Sequence, residues 1–599
     1  MKATDWKSNP KWLDSVPLWS GLPAQARAEF IDSLDPLALL GGQELFREGD
    51  AADALFVLVA GAVGISTVNQ HGQPTQINKV LPPETIGEMA LISDAPRSAT
   101  ALALRDSLLL RLSRSAFDKL SERWPRSTWY LARLLAERLR SRTRGDAPPK
   151  TPTTLAIIPV SRGVNYQWLS EMLLAELKRR TGGRATLLSS MPARADELWF
   201  HEIETAHQHV IYLAHPTSPE WMAICHRRAD HVLYVAEPGS AVSLPSLDND
   251  KDTGWRKRDL VVLQPRAALS AFAADKTASM LRADLIIHVR LDNLPDVQRL
   301  ARLVTGSAQG IVLSGGGARG FAHIGVLQAL QERHCPIDLI GGTSIGAIIA
   351  AAFAAGWQLD ETKHRLHHAF RTGSPLSDYT VPLVALLSGR KMDELLHQTF
   401  GTLLIENLWL PYFCVSSNLT TGRAQVHTQG LVHRALRASV AIPGLLPPVV
   451  DSIEGVLVDG AMMNNLPVDV LAAQGRGPVI GVDVARDLAL SAADGLGRPV
   501  RRLSLRRLLG IPVDAPAVAS ILVRAATVSS DAQLEATRAK AALLIQPPLA
   551  TIGLRSWDSL GRATAIGYAH TCDLLATGAY GWLSDPLLDR GCTKRNRHE

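Results

Sequence analysis

Residues 310–330 read GIVLSGGGARGFAHIGVLQAL, and residues 338–356 read DLIGGTSIGAIIAAAFAAG. In each stretch a short apolar run breaks at small residues and continues with helical character, so each predicts a strand, a tight turn and a helix. Taken alone, Gly315-Gly316-Gly317-Ala318-Arg319-Gly320 satisfies G-x-G-x-x-G and suggests a dinucleotide site, with Asp338 at about the right distance for a ribose. However, Asp338 stands at the start of the next strand rather than its end. That strand runs into Gly342-Thr343-Ser344-Ile345-Gly346, a G-x-S-x-G sequence. A sharp strand-to-helix turn needs small residues at Gly342 and Gly346, and it lifts the Ser344 hydroxyl to a helix N-terminus, where an alkoxide is favoured. The glycines at 315–320 supply backbone N–H groups unobstructed by side chains, as an oxyanion requires. Two such turns about 25 residues apart, each ending a strand, put a nucleophile and oxyanion donors on one edge of one sheet.

A serine needs a base. In α/β-hydrolases the chain order is serine, acid, histidine. The acid candidate is Asp459, at the end of an apolar strand in GVLVDGAMMNNLPVDV (455–470), and only His570 and His598 follow it. His598 sits in a charged tail and His570 in an apolar helix, so a Ser344–Asp459 dyad, with the carboxylate taking the serine proton, fits better than a triad.

GGGARG, GTSIG and DGA (459–461), in this order, resemble the signature elements of the patatin-like phospholipases, and RASVAIPGLLPP (437–448) is similar to the stretch before their catalytic aspartate. The resemblance covers roughly 310–585. It implies Ser344 as nucleophile, Asp459 as base with Gly460 and Ala461 completing its motif, and Gly315, Gly316, Gly317, Ala318, Arg319 and Gly320 as the oxyanion loop. His323 reads as a core histidine. Arg319 either orients the loop through carbonyls or forms a salt bridge, and Asp451 and Asp469 read as solvated or capping carboxylates.

Further toward the N-terminus, residues 42–112 alternate short apolar runs with turn residues, the pattern of an antiparallel sheet. Helical spacing brackets it at 22–40 and 114–142. A cyclic nucleotide asks for an arginine and N–H groups at its phosphate and a carboxylate at its ribose hydroxyl. Glu88 and Arg97 in IGEMALISDAPRSAT (86–100) meet that need. The string resembles the phosphate cassette of cyclic nucleotide-binding domains, which implies Glu88 for the 2′-hydroxyl and Arg97 with Ser98, beside Gly87, for the phosphate; a scaffold with Glu88 paired to Arg97 is the alternative. Residues 143–154 read as a linker. Between 155 and 300, strands such as LAIIPV and HVLYVAE alternate with helical stretches, predicting a parallel α/β layer. This region resembles the segment between the two domains in neuropathy target esterase-like proteins and the deviant P-loop domains. SRGVNYQWL lacks G-K-[ST], so no ATPase is expected.

With 599 residues, 46% hydrophobic and 20% charged, the chain holds roughly four domains' worth of material at ordinary domain size. Five cysteines, odd in number and without a C-x-x-C pair, argue against a disulfide framework or zinc site and for a reducing compartment. The N-terminus has no signal-peptide core. On length alone the run Leu339–Leu359 could form a membrane span, which needs ~20 residues, but its apolar part is short and Ala-rich, as in a buried helix. A net charge of +6 without a basic-aromatic cluster argues against nucleic acid. Arginines 498, 501, 502, 506 and 507, interleaved with leucines, suggest peripheral contact with anionic lipid or a solvated loop.

The fold expected is multidomain α/β: a β-roll with flanking helices over 17–142, an α/β layer resembling a degenerate P-loop fold over 155–300, and a patatin-like hydrolase over 310–587. The expected function is hydrolysis of phospholipid or lysophospholipid carboxylic esters in the cytoplasm or at the inner membrane surface. No metal or cofactor is required, and cyclic AMP or cyclic GMP is the expected regulatory ligand. The competing reading is a non-catalytic cyclic-nucleotide-responsive binding protein with a relict hydrolase fold.

Overall fold

The computed structural model describes residues 22–68, 74–89, 95–129, 153–243, 255–265, 274–485 and 534–583, except 194, 373, 374, 382, 555 and 579, together with residue 16 and some positions between 132 and 140. His598 and the arginine-leucine stretch 498–509 lie outside the described residues, as does 143–152 of the expected linker. Two compact units result: residues 1–263 with 278–285, and residues 264–277 with 286–599.

The first unit opens with a β-roll of β1 (Asp35–Leu39), β2 (Glu44–Phe46), β3 (Ala54–Val68), β4 (Pro74–Val80), β5 (Glu84–Ile86) and β6 (Thr100–Ser113). The long strands β3 and β6 pair antiparallel, with β1 and β4 outside them. Side chains alternate across a strand. On β3, Leu55, Val57 and Val59 therefore pack toward the helices Ala24–Asp32 and Arg114–Arg123, while Ala54, Phe56 and Leu58 fill a second core on the opposite face. The helix expected over 114–142 stops at Arg123: Trp124 leaves helical geometry (φ −127°, ψ 73°) and helix resumes only at Arg126. The cause is Pro125, which disfavours the α conformation at the residue before it.

The α/β layer follows with β7 (Thr153–Pro159), β8 (Ala185–Leu188), β9 (His209–Leu213), β10 (His231–Ala236) and β11 (Lys257–Gln264), all parallel in the order β11-β10-β7-β9-β8. Helices cover both faces, which is why β10 is buried at every position. Roll and layer join in one unit through buried charge. Arg105 on β6 lies 2.7 Å from Glu204 and 3.4 Å from Asp230, and Lys79 on β4 lies 2.7 Å from Asp230. Burial alone would raise the Asp230 carboxyl, but Arg105 and Lys79 hold it down at about 2. Removing one partner leaves a buried charge uncompensated, so Arg105→Ala is expected to cost about 3–5 kcal/mol. Thermal unfolding at pH 7 checks this. Because the native carboxyl titrates below its unfolded value, the Asp230 contribution is present above pH ~4 and is lost as pH falls toward 2.

The second unit is built on an eight-stranded sheet. Its strands are β13 (Gly310–Leu313), β14 (Leu339–Thr343), β15 (Tyr412–Asn418), β16 (Arg423–His427), β17 (Val449–Asp451), β18 (Gly455–Asp459), β19 (Val479–Val482) and β20 (Leu543–Ile545), after β12 (Leu285–Arg290) near the start of the unit. The order is β17-β18-β15-β14-β13-β19-β20, with β16 on β15. Strands β13, β14, β15, β19 and β20 run parallel, and β18 returns antiparallel beside β15. The helix Leu294–Thr305 also belongs here by packing, with Arg302 donating to Asp338 at 2.6 and 2.8 Å. That pairing occupies the carboxylate a dinucleotide site would need. The Ala-rich run forms the helix Ile345–Ala354, packed in the core. Among the described residues no helix is long and apolar enough to cross a membrane.

Candidate active site

The register pairs Leu313 with Gly342, so β13 and β14 end side by side and release the glycine loop and Ser344 at the same edge. A Cβ on Gly342 would meet the Leu313 carbonyl at 2.5 Å, and one on Gly346 would meet it at 2.4 Å. The turn closes only because both positions lack side chains. It holds Ser344 at φ +55°, ψ −125°, a left-handed conformation rare for a residue with a Cβ. Its neighbours fix it: the Ser344 N–H donates to Ser439 Oγ at 2.9 Å, and Ser439 Oγ donates to the Val415 carbonyl at 2.7 Å.

Strand β18 brings the acid. Ser416 stands opposite Asp459 in the antiparallel pair, and the Ser344 hydroxyl donates to Asp459 Oδ2 at 2.9 Å. The other carboxylate oxygen accepts the Ala461 N–H at 2.8 Å, and the Asp459 N–H donates to the Ala441 carbonyl at 2.9 Å. Gly460 is required because a Cβ there would meet the Val415 carbonyl at 2.3 Å. Asp459 is only 4% exposed, and its burial, opposed by the Ala461 and Ser344 hydrogen bonds, pushes the carboxyl up to about 6.

The glycine loop lies against Ser344, since a Cβ on Gly315 would come within 3.2 Å of the Ser344 Cβ. Three of its N–H groups are used in holding its shape: Gly315 donates to Asn465, Ala318 to Leu554 and Arg319 to Gly316. The Arg319 guanidinium donates to the Ile552 carbonyl at 2.7 Å. His323 bonds the Ser314 carbonyl at 2.9 Å through Nε2, and burial lowers it to about 4. His570 lies on the helix Leu560–Ala576, and the carboxylate that meets the Ser344 hydroxyl is that of Asp459. Asp451 accepts the Ile453 and Glu454 N–H groups in a turn, and Asp469 accepts from Asn464 in the first turn of the helix Val468–Gln474. The supporting roles of Ser439, Ala441 and Asn465 carry no spacing signal that sequence reading could use.

In the β-roll, Gly87 (φ +84°) and Arg97 come together. The buried guanidinium donates to the Gly87 and Ala54 carbonyls at 3.0 and 2.6 Å and stacks 4.2 Å over the Phe46 ring. A Cβ on Gly87 would strike it at 2.3 Å. Glu88 is buried, and Ser98 is exposed.

Residues 311–472 match the family model for patatin-like phospholipase, and residues 37–123 match that for the cyclic nucleotide-binding domain. Lysophospholipase NTE1 of Mycosarcoma maydis is 30% identical over 76% of this chain and 29% of its own length. Human patatin-like phospholipase domain-containing protein 6 is 27% identical over 94% of this chain and 46% of its own length. The chain thus spans less than half of these two relatives. An uncharacterized NTE family protein of Mycobacterium bovis is 29% identical over 93% of this chain and 94% of its own length. The chain thus carries a cyclic nucleotide-binding domain ahead of a patatin-like phospholipase domain, and along nearly its whole length it is similar to proteins of the neuropathy target esterase type.

Proposed function

We propose that this chain hydrolyses carboxylic esters of phospholipids or lysophospholipids through a Ser344–Asp459 dyad. The observation that carries the reading is the 2.9 Å hydrogen bond from a left-handed Ser344 to a buried carboxylate. Ser344 Oγ attacks the ester carbonyl carbon as Asp459 Oδ2 takes its proton, and the carbonyl electron pair moves to oxygen. Glycine-loop N–H groups receive that oxyanion, and Gly316 and Gly317 are the candidates not engaged by the ties above. Collapse of the intermediate breaks the bond to the alcohol, which leaves with the proton from Asp459. Water then repeats the sequence on the acyl-serine with Asp459 as base. Mass spectrometry of a lipid extract incubated with the protein and with Ser344→Ala tests the substrate class. Free fatty acid released only by the unaltered protein is expected, and equal release from both would refute the reading.

The β-roll is the proposed receptor for cyclic AMP or cyclic GMP, with Glu88 at the ribose and Arg97 and Ser98 at the phosphate. To reach a phosphate, Arg97 gives up the Gly87 and Ala54 carbonyls and the Asp53 carboxylate 3.5 Å away, a change transmitted into β3, which carries Ala54. Arg97→Ala is expected to weaken binding by about 1.5–3 kcal/mol, the worth of a charge-assisted bond, by calorimetry on the full chain. No heat at millimolar ligand would leave the roll as a scaffold. Binding without a change in ester turnover would remove regulation alone. The α/β layer, lacking a glycine-lysine loop after β7, is assigned a structural or regulatory role.

A further inference from the structure

The stretch of chain that touches both reacting residues carries, or is hydrogen-bonded to the segment that carries, the most exposed apolar side chains of the second unit among the described residues. It runs from Ser439, which accepts the Ser344 N–H, through Ala441, which accepts the Asp459 N–H, to Gly444 and Leu445. The carbonyls of those last two accept the N–H groups of Leu386 and Leu387 at 2.9 and 3.0 Å. The chain then forms β17 and β18 and returns to Asp459.

Two turns project from this frame. The first is closed by the Thr380 N–H on the Leu386 carbonyl and by a bridge between Tyr379 and Leu387. It exposes Tyr379, Val381, Val384 and Leu383, the last by 89%. The second joins β17 to β18 and exposes Val450 and Ile453, the latter by 93%, with its shape fixed by the Asp451 carboxylate. Because Leu457 pairs with Asn418 at the end of β15, the β17–β18 turn lies beyond the C-terminal ends of the parallel strands. That is the edge at which β14 delivers Ser344.

Single exposed aliphatic residues are ordinary, but five of them with a tyrosine on two hydrogen-bonded turns tied to one catalytic segment form a pattern. Both turns are narrow projections, whereas a protein partner of ordinary affinity covers about 800 Å² per side with 20 or more residues. The two arginines next to them are answered locally: Arg434 is 3.7 Å from Asp451, and Arg437 is 2.6 Å from Asp393. An uncharged, deformable apolar phase is the surface such projections fit.

We propose that Val381, Leu383, Val384, Val450 and Ile453 form a docking rim that enters the acyl boundary of a lipid bilayer, bringing the nucleophile edge to the ester. The benefit to catalysis rests on the esterase reading, and the binding itself does not. The test is sedimentation of the full-length Ser344→Ala protein with phosphatidylcholine vesicles, with and without Leu383→Asp plus Ile453→Asp. The double substitution should lower vesicle partition by about tenfold or more, since each side chain gives up its apolar transfer. Partition should change less than about twofold between low and high salt, because the contact is not between charges. In the active protein the same pair should abolish hydrolysis of vesicle lipid and keep turnover of a dissolved p-nitrophenyl butyrate. A milder pair, Leu383→Ser and Ile453→Ser, covers the case in which the aspartates disturb folding. Unchanged partition in a folded variant overturns the proposal, as does a dimer in sedimentation velocity that these substitutions dissociate. Vesicle binding through the rim by a protein that hydrolyses no ester would support the rim and refute the esterase reading alone.

Discussion

Ser344→Ala and Asp459→Asn should each lower ester turnover by about 10⁴-fold or more, and the double variant should be no worse than either single one. The non-additivity follows from geometry. The carboxylate acts only through the hydroxyl 2.9 Å away, so once one is gone the other has nothing to act on. Both variants should stay folded. Ser344 is held by its backbone bond to Ser439, which alanine retains, and an asparagine at 459 still accepts from Ala461 through its amide oxygen. Initial rates on a dissolved ester, with circular dichroism of each variant, make the measurement. Near-native turnover in either folded variant would refute the dyad. Loss of activity in His570→Ala with retention in Asp459→Asn would restore a triad.

The strand-turn-helix pairs at 310–330 and 338–356 were legible because small residues at a strand end have few other uses. The structure gives the steric reason, since Cβ atoms at 342 and 346 would both overlap the Leu313 carbonyl. The chain order of Ser344 and Asp459 likewise left a carboxylate as the better candidate base. The cradle around them was not legible. Ser439, Ala441 and Asn465 act through hydroxyl or backbone groups at positions set by register and turn path, and neither leaves a periodic trace. Arg97 shows a different limit. An arginine in a turn reads as an anion ligand, but here its guanidinium is occupied by two carbonyls, the Asp53 carboxylate and a ring, which only a three-dimensional arrangement can supply. The joining of roll and layer was hidden for the same reason. Arg105, Lys79, Glu204 and Asp230 are far apart in sequence and look like solvated charges until their strands and helices are packed.

The second large effect is on pH. A base works best when its pKa lies near the working pH, and burial raises the Asp459 carboxyl to about 6. Only the ionised form can take the serine proton. With a dissolved ester, kcat/KM should therefore fall about tenfold per pH unit below 6 and level off above about pH 7. Stability should run the other way. The native carboxyl holds its proton about two pH units longer than an unfolded one, so the native state binds more protons between pH ~4 and ~6 and loses stability as pH rises through that window. Near neutrality the loss amounts to about 3 kcal/mol, at 1.36 kcal/mol per unit. Asp459→Asn removes the ionisation and should unfold at a temperature no lower than the unaltered protein at pH 7.5, with the gain shrinking toward pH 4.5. An inactive variant that is also more stable is what a carboxylate kept for chemistry requires, since a residue retained for packing would destabilise when changed. A flat activity profile from pH 4.5 to 8, or a variant markedly less stable at pH 7.5, would show that Asp459 is not a base raised by burial.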